Sequence, residues 1–310
     1  MEDVPDETPL VAIVGPTATG KTELALRLAR QVPLEVVNAD ALQVYKGFDI
    51  GTAKPTPEQQ TRVPHHLIDI LEPRERYSAG EFARRAREAI ADIRTRHRLP
   101  VVVGGSGLYL RALLEGLSPM PRRDPETRRA LRRRLDDEGL EALYGELSEV
   151  DPETAERITP GDSQRILRAL EVFQASGTPL SEWIRRQPFG EERLSALRIG
   201  LTLPRPILYD QISARVVRMM DRGWLDEVER LLERGLDPAF PAFQAIGYRQ
   251  LVRFLQGEWS LDEAIRDIQK RTRRFAKRQE TWFRKEPDVE WHEADTQEDV
   301  IIPRILEYLE

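Results

Sequence analysis

The chain has 310 residues, 40% of them hydrophobic, with a formal net charge of −6 and no cysteine. That length holds one large domain or two moderate ones with a sizeable core; the charge excludes a uniformly basic surface, and the missing cysteine excludes disulfides, thiolate metal sites and thiol nucleophiles, as fits a reducing cytoplasm. No apolar run approaches the roughly 18 residues of a membrane helix, and the acidic, proline-containing opening MEDVPDETPL has no signal-peptide regions and reads as a frayed tail.

Residues 10–14, LVAIV, form a short apolar run of the kind buried in a parallel sheet. Gly15-Pro16-Thr17-Ala18-Thr19-Gly20-Lys21-Thr22 follows and fits G-x-x-x-x-G-K-[ST]. A helical pattern over 21–31 completes the strand–loop–helix context that a phosphate loop needs. Glycines let backbone N–H groups converge on phosphate oxygens, and the helix N-terminus adds its dipole. Lys21 supplies a point charge, and the Thr22 hydroxyl suits a magnesium ion.

A second strand at 34–38, LEVVN, leads to Asp40. HLIDIL at 66–71 is a weaker strand candidate. His65 and His66 project in different directions and have no cysteine or third histidine close in sequence, so a structural or substrate-lining place is favoured over a transition-metal site. A helix is expected over 79–97. VVV at 101–103 is a third strand, and it runs into Gly104-Gly105-Ser106-Gly107 with no carboxylate. ATPases and small-molecule kinases with such a loop usually have a magnesium-binding aspartate at the end of another strand. Here the strand-end carboxylate is Asp40. Three roles are open to it: organising magnesium, taking a proton from an acceptor, or capping a helix.

After Leu117, SPMPRRDPE is a proline-bearing junction, and from there to about Gly190 the pattern is helical without strands. Asp124-Pro125 and Asp151-Pro152 each set a capping aspartate before a proline at the first helical position. Asp162 caps SQRILRALEVFQAS, and Gly177 stops it. The expected organisation is a core of 1–118 and 191–310 interrupted by a helical insertion at 119–190. RIGLTL at 198–203 is a further weak strand, and the chain from Pro206 is mostly helical.

Ser260 and Glu263 form a capping box. Leu261, Ile265, Ile268, Thr272, Phe275, Gln279 and Trp282 then recur at steps of four and three, the spacing of one helix face. Lys270, Arg273, Arg274, Lys277, Arg278 and Arg284 fall mainly on other faces. Segments 122–134 and 266–285 carry local balances of +5 and +7, which suit either a bound polyanion or a solvated helix surface. Trp183, Trp282 and Trp291 sit beside apolar neighbours and read as packing residues. The fold class is α/β: a P-loop parallel sheet flanked by helices, with an all-helical insertion domain.

Nine stretches stand in order along the chain: GPTATGKT (15–22), DALQVY (40–45), DIGTAKP (49–55), PHHLID (64–69), YSAGEF (77–82), GGSGLY (104–109), QRILRALEV (164–172), QAIGYRQ (244–250) and TRRFAKRQETWFR (272–284). Together they resemble the bacterial tRNA dimethylallyltransferases over about residues 10–285. Two departures are Ala41, where that family usually has serine, and Ser106, where it usually has threonine. The resemblance implies transfer of a dimethylallyl group from dimethylallyl diphosphate to N6 of adenine 37, next to the anticodon. The tRNAs concerned read codons that begin with U, and diphosphate is released. It implies Asp40 as base, and Ser106 and Arg215, the latter in an R-x-x-x-M pattern, at the diphosphate with residues 15–22. It further implies Mg2+ on Thr22 and contact between the tRNA anticodon stem-loop and Asp40, Ala41, Leu42, Gln43, Ser106, Arg128, Gln164, Arg165, Ile166, Leu167 and Arg168. A cytoplasmic monomer without membrane contact is expected. The competing readings are a nucleotide-binding P-loop small-molecule kinase, an RNA-binding protein with a relict phosphate site, and an adenylate isopentenyltransferase acting on free nucleotide.

Overall fold

The structure, a computed structural model, describes residues 9–117, 120–121, 124–186 and 193–310, with the side chains of 297 and 298 excepted. The first eight residues of the acidic opening, four residues of the SPMPRRDPE junction (118, 119, 122 and 123) and Gly190 lie outside the described residues. The chain forms two compact units, Met1–Leu114 with Leu194–Glu310, and Glu115–Arg193.

The larger unit opens with β1 (Val11–Val14), α1 (Lys21–Leu28), β2 (Leu34–Ala39), α2 (Pro57–Arg62), β3 (His65–His66), α3 (Ala79–Thr95), β4 (Leu99–Gly104) and α4 (Gly107–Leu114). All described pairings in its sheet are parallel. Side chains alternate strictly across the central strands. Val11, Ile13, Val36, Val101 and Val103 face a core shared with Leu24 and Leu28 of α1. Ala12, Val14, Val37 and Val102 face Phe82, Ala86, Ile90 and Ile93 of α3. Both faces are therefore buried, which is why these strands read as continuous apolar runs rather than alternating ones. The Ser78 hydroxyl accepts from the N–H of Glu81 at 3.1 Å and starts α3.

The smaller unit holds α5 (Pro125–Val150), α6 (Pro152–Arg157), α7 (Ser163–Ser176) and α8 (Leu180–Arg186), and it is all-helical among the described residues. Asp124, Asp151 and Asp162 cap α5, α6 and α7 through side-chain oxygens, and Gly177 ends α7 with φ 66°. Gly139, at φ 85° and ψ 167°, breaks α5 into two segments. The core gathers Leu131, Leu143, Leu147, Ile158, Ile166, Leu167 and Leu170.

The larger unit resumes with β5 (Leu197–Thr202), α9 (Arg205–Asp221), α10 (Trp224–Glu233), α11 (Tyr248–Leu255), α12 (Leu261–Phe283), β6 (Val289–Glu293) and α13 (Ile302–Leu309). Its six-stranded sheet runs β3-β2-β4-β1-β5-β6. Three expectations change. The candidate strand 66–71 shrinks to His65–His66, because Leu67 and Asp69 take φ of 64° and 54° and turn the chain out of the ladder. β6 was not expected: it is an edge strand whose side chains are none of them fully buried, so VEWHE carries no apolar pattern. The buried stripe of α12 is Ala264, Ile268, Ala276, Gln279 and Phe283, with Leu261, Ile265, Thr272 and Trp282 half-buried and Phe275 37% exposed. Small alanines let the helix approach its neighbours closely, so the bulky residues flank the seam instead of forming it. No described helix is long and apolar enough to cross a membrane.

Candidate active site

Residues 15–22 curl between β1 and α1. Gly15 takes φ 131°, and a Cβ there would meet the Leu201 carbonyl oxygen at 2.5 Å, so this position needs glycine. Gly20 enters α1 at φ 83°. The Thr19 hydroxyl donates to the Pro16 carbonyl at 2.9 Å, and Lys21 Nζ donates to the same oxygen at 2.6 Å. Thr17, Ala18, Gly20, Lys21 and Thr22 line a cavity of about 670 Å³ at the carboxyl ends of β1, β2 and β4. Gly15, Pro16 and Thr19 are buried behind it.

Asp40, immediately after β2, lines the same cavity. Its Oδ1 accepts from the N–H of Leu42 at 2.8 Å and of Gln43 at 3.4 Å, which leaves Oδ2 without a hydrogen bond among the described residues. Gln43 also lines the cavity, and its Nε2 donates to the carbonyls of Thr52 and Ala53 at 3.1 and 3.3 Å. The carboxamide is therefore oriented with its oxygen uncommitted. Ala41 and Leu42 pack into the apolar clusters on either side. Ser106 is half-buried at the head of α4, where its carbonyl accepts from the N–H groups of Tyr109 and Leu110; Gly104 and Gly105 line the cavity and Ser106 does not.

Arg215 of α9 reaches the cavity, as do Arg218 and Arg222. Burial, with Arg215 nearby, pulls Lys21 down to about 7, and Asp40 pulls it back upward. Burial likewise draws Arg215 below its ordinary value against the pull of Asp40. The lining carboxylates are Asp40 and Glu23, and Glu23 is engaged by Arg27 at 3.1 Å.

Several lining residues carried no expected role. Thr52, Ala53, Lys54 and Pro55, from DIGTAKP, form one wall. Glu227, only 5% exposed, holds that wall: its carboxylate accepts from the N–H groups of Asp49, Ile50 and Gly51 at 3.0, 2.7 and 3.3 Å and from the Tyr248 hydroxyl at 2.6 Å. Gln279 braces two loops at once, accepting from the Thr17 N–H and donating to the Gly105 carbonyl, both at 2.9 Å. Its place on an apparently apolar helix face was the signal; a polar residue there needs partners. His65 lines the cavity, and His66 Nε2 lies 2.6 Å from Glu35.

The smaller unit gathers Arg128, Gln164, Arg168 and Glu171. Arg128 donates to Gln164 Oε1 at 2.8 Å and lies 3.4 Å from Glu171, which Arg168 also meets at 3.4 Å. Arg168 donates to the Pro121 carbonyl as well, whereas Arg165 projects with 65% of its side chain exposed. Ile166 and Leu167 were expected at the RNA. They are instead 0% and 1% exposed in the core of this unit, since alternate faces of one helix cannot both look outward.

The family described as IPP transferase matches residues 43–286, and that described as isopentenyl transferase matches residues 8–69. A tRNA dimethylallyltransferase of Syntrophobacter fumaroxidans is 49% identical over 93% of this chain and 84% of its own length. A tRNA dimethylallyltransferase 2 of Geotalea uraniireducens is 46% identical over 99% of both. The full-length tRNA isopentenylpyrophosphate transferase of Bacillus halodurans superposes with a TM-score of 0.70 at 40% identity, covering 98% of this chain and 96% of that one. A eukaryotic dimethylallyltransferase acting on tRNA gives 0.78 at 27% identity, covering 96% and 78%. The parallel sheet and the cavity lined by Lys21, Arg215, Arg218 and Arg222 are those of an α/β protein of a kind that holds anions at the ends of its strands. The chain belongs to the IPP transferase family and is a prenyl transferase of the tRNA dimethylallyltransferase kind.

Proposed function

We propose that the chain moves a dimethylallyl group from dimethylallyl diphosphate to N6 of adenine 37, beside the anticodon of tRNAs reading codons that begin with U, and releases diphosphate. The observation that carries this reading is the meeting of Asp40 with Lys21 and Arg215 in one cavity, with no second strand-end carboxylate there. The adenine N6 lone pair is delocalised into the ring and is a poor nucleophile. As it bonds to the allylic carbon, Oδ2 of Asp40 takes the N6 proton, and the carbon–oxygen bond breaks with its electron pair on diphosphate. A positioned base of this kind contributes roughly 10²–10⁴-fold. Lys21, Arg215 and the loop N–H groups answer the charge that grows on the departing oxygens. Adenine reaches Asp40 only when turned out of its stack, and the free oxygen of Gln43 then faces its edge.

Thr22 lines the cavity, and no cluster of three or more His, Cys, Asp or Glu gathers among the described residues. Thr22 would hold Mg2+ through its hydroxyl, an oxygen donor of the kind this hard cation takes. When bound, the ion neutralises part of the leaving group's charge. Burial and Arg215 pull Lys21 down to about 7, so Lys21 takes up a proton when diphosphate binds at pH 8, and much less at pH 6. Calorimetry with inorganic diphosphate in buffers of different ionisation enthalpy, on the parent and Lys21→Met, reads this as a difference that cancels the proton carried by the diphosphate itself; an equal difference at both pH values contradicts it.

The smaller unit supplies RNA contacts through Arg128, Gln164, Arg165 and Arg168, and the cations of α12 add a non-specific grip. Arg165→Ala and Arg168→Ala raise the KM for tRNA well above any change in the KM for dimethylallyl diphosphate. Each lost phosphate contact lowers the salt slope of tRNA binding by about one. Equal effects on both substrates contradict these roles. A cytoplasmic monomer completes the reading. The test is labelled dimethylallyl diphosphate with an anticodon stem-loop carrying adenine or guanine at position 37. Label enters the adenine loop alone. An unlabelled adenine loop, with ATP consumed instead, overturns the proposal in favour of a kinase.

A further inference from the structure

We propose that Arg218 and Arg222 form a second anion subsite, which holds a phosphodiester of the incoming RNA beside the Lys21–Arg215 pair. This rests on the prenyl-transfer reading above and extends it to how the extruded nucleotide is held.

Arg215, Arg218 and Arg222 stand at i, i+3 and i+7 along α9 and its C-terminal cap, which puts them on one face. All three line the cavity. Arg215 is withdrawn and coupled to Asp40. Arg218 and Arg222 are exposed, and neither makes an ion pair or hydrogen bond among the described residues. The positive charge of Arg218 also pushes Arg215 below its ordinary value, so the cations of this row repel one another.

By charge count, the donor alone leaves these cations unmatched. Lys54 is neutralised by Asp49 and Asp69, and Glu23 is held by Arg27. What remains is Lys21, Arg215, Arg218 and Arg222 against Asp40. A diphosphate ester carrying a divalent cation has a net charge of only about −1, which Lys21 and Arg215 match. Arg218 and Arg222 are surplus to it. A nucleotide turned out of an RNA loop carries its flanking phosphates towards the pocket mouth, and phosphate contacts set register there without reading sequence. The planar guanidinium fork suits a phosphodiester.

The experiment compares the full chain with Arg218→Gln, Arg222→Gln and the double variant, each checked by thermal melting. Stem-loop binding without donor is titrated against salt, and both KM values are measured. The subsite predicts a stem-loop KM raised by about tenfold or more in the double variant and a salt slope smaller by about two. It also predicts a dimethylallyl diphosphate KM within about twofold of the parent. A raised donor KM with an unchanged stem-loop KM reassigns the arginines to the diphosphate and overturns the proposal. So does an unchanged salt slope. If the parent chain itself fails to prenylate the stem-loop, the functional reading falls, and the donor-free salt slope still decides whether these arginines hold RNA.

Discussion

Replacing Asp40 with alanine lowers single-turnover prenyl transfer by roughly 10²–10⁴-fold while leaving stem-loop binding within a few-fold of the parent. The size follows from its place. Oδ1 is held by the N–H groups of Leu42 and Gln43, which leaves Oδ2 without a hydrogen bond among the described residues; under the proposed function it is the acceptor for the N6 proton. Asp40→Asn keeps the shape and the Oδ1 contacts and loses the basicity, so it falls with the alanine variant if proton transfer is the role. There is a second consequence. Asp40 pulls the Lys21 ammonium upward, so its loss moves Lys21 further below 7 and shifts the proton uptake on diphosphate binding to lower pH. Rapid-quench transfer assays and calorimetry read the two effects separately. Near-parental transfer in both variants removes Asp40 as the base.

Glu227→Ala destabilises the chain by about 2 kcal/mol or more, since the buried Tyr248 hydroxyl and three half-buried N–H groups lose one acceptor and an unsatisfied buried donor costs about 1–3 kcal/mol. The damage is local in origin. The carboxylate gathers the N–H groups of 49–51, while Gly51 lies so close to Trp224 that an added Cβ would stand 2.0 Å from its Nε1. With the acceptor gone, the turn carrying Thr52, Ala53, Lys54 and Pro55 no longer forms a fixed cavity wall, and the KM for dimethylallyl diphosphate rises. Tyr248→Phe removes one of the four donors and keeps the other three, so its effect is far smaller. Denaturant melts give the stability difference, and hydrogen exchange at 49–51 gives its place. Unchanged protection at those amides contradicts the brace.

What was legible in the sequence was local chemistry repeated at short range. β1, the glycine-rich loop and α1 follow one another within 18 residues, and each helical cap of the smaller unit is a single aspartate acting on the next turn. Asp40 could be found because it ends a buried strand. What was not legible depended on partners far along the chain. β6 is a strand because β5 offers an edge, not because VEWHE alternates. Gln279 looked like part of an apolar stripe and instead ties the loops at Thr17 and Gly105, 262 and 174 positions away. Glu227 binds the N–H groups of 49–51, about 177 positions away, which no local pattern announces. Ile166 and Leu167 entered the expected RNA surface with their polar neighbours, and helical geometry turned them into the core. Arg218 and Arg222 could have been found from the spacing that Arg215 sets, once one face of α9 was known to meet the cavity.

The most direct measurement of the central claim is the stoichiometry of a single turnover, with the RNA product mapped by mass spectrometry and released diphosphate counted. The account predicts one diphosphate for each dimethylallyl group gained on N6 of adenine, with no orthophosphate from added ATP. Orthophosphate release or phosphoryl gain on any acceptor, with the RNA mass unchanged, contradicts it.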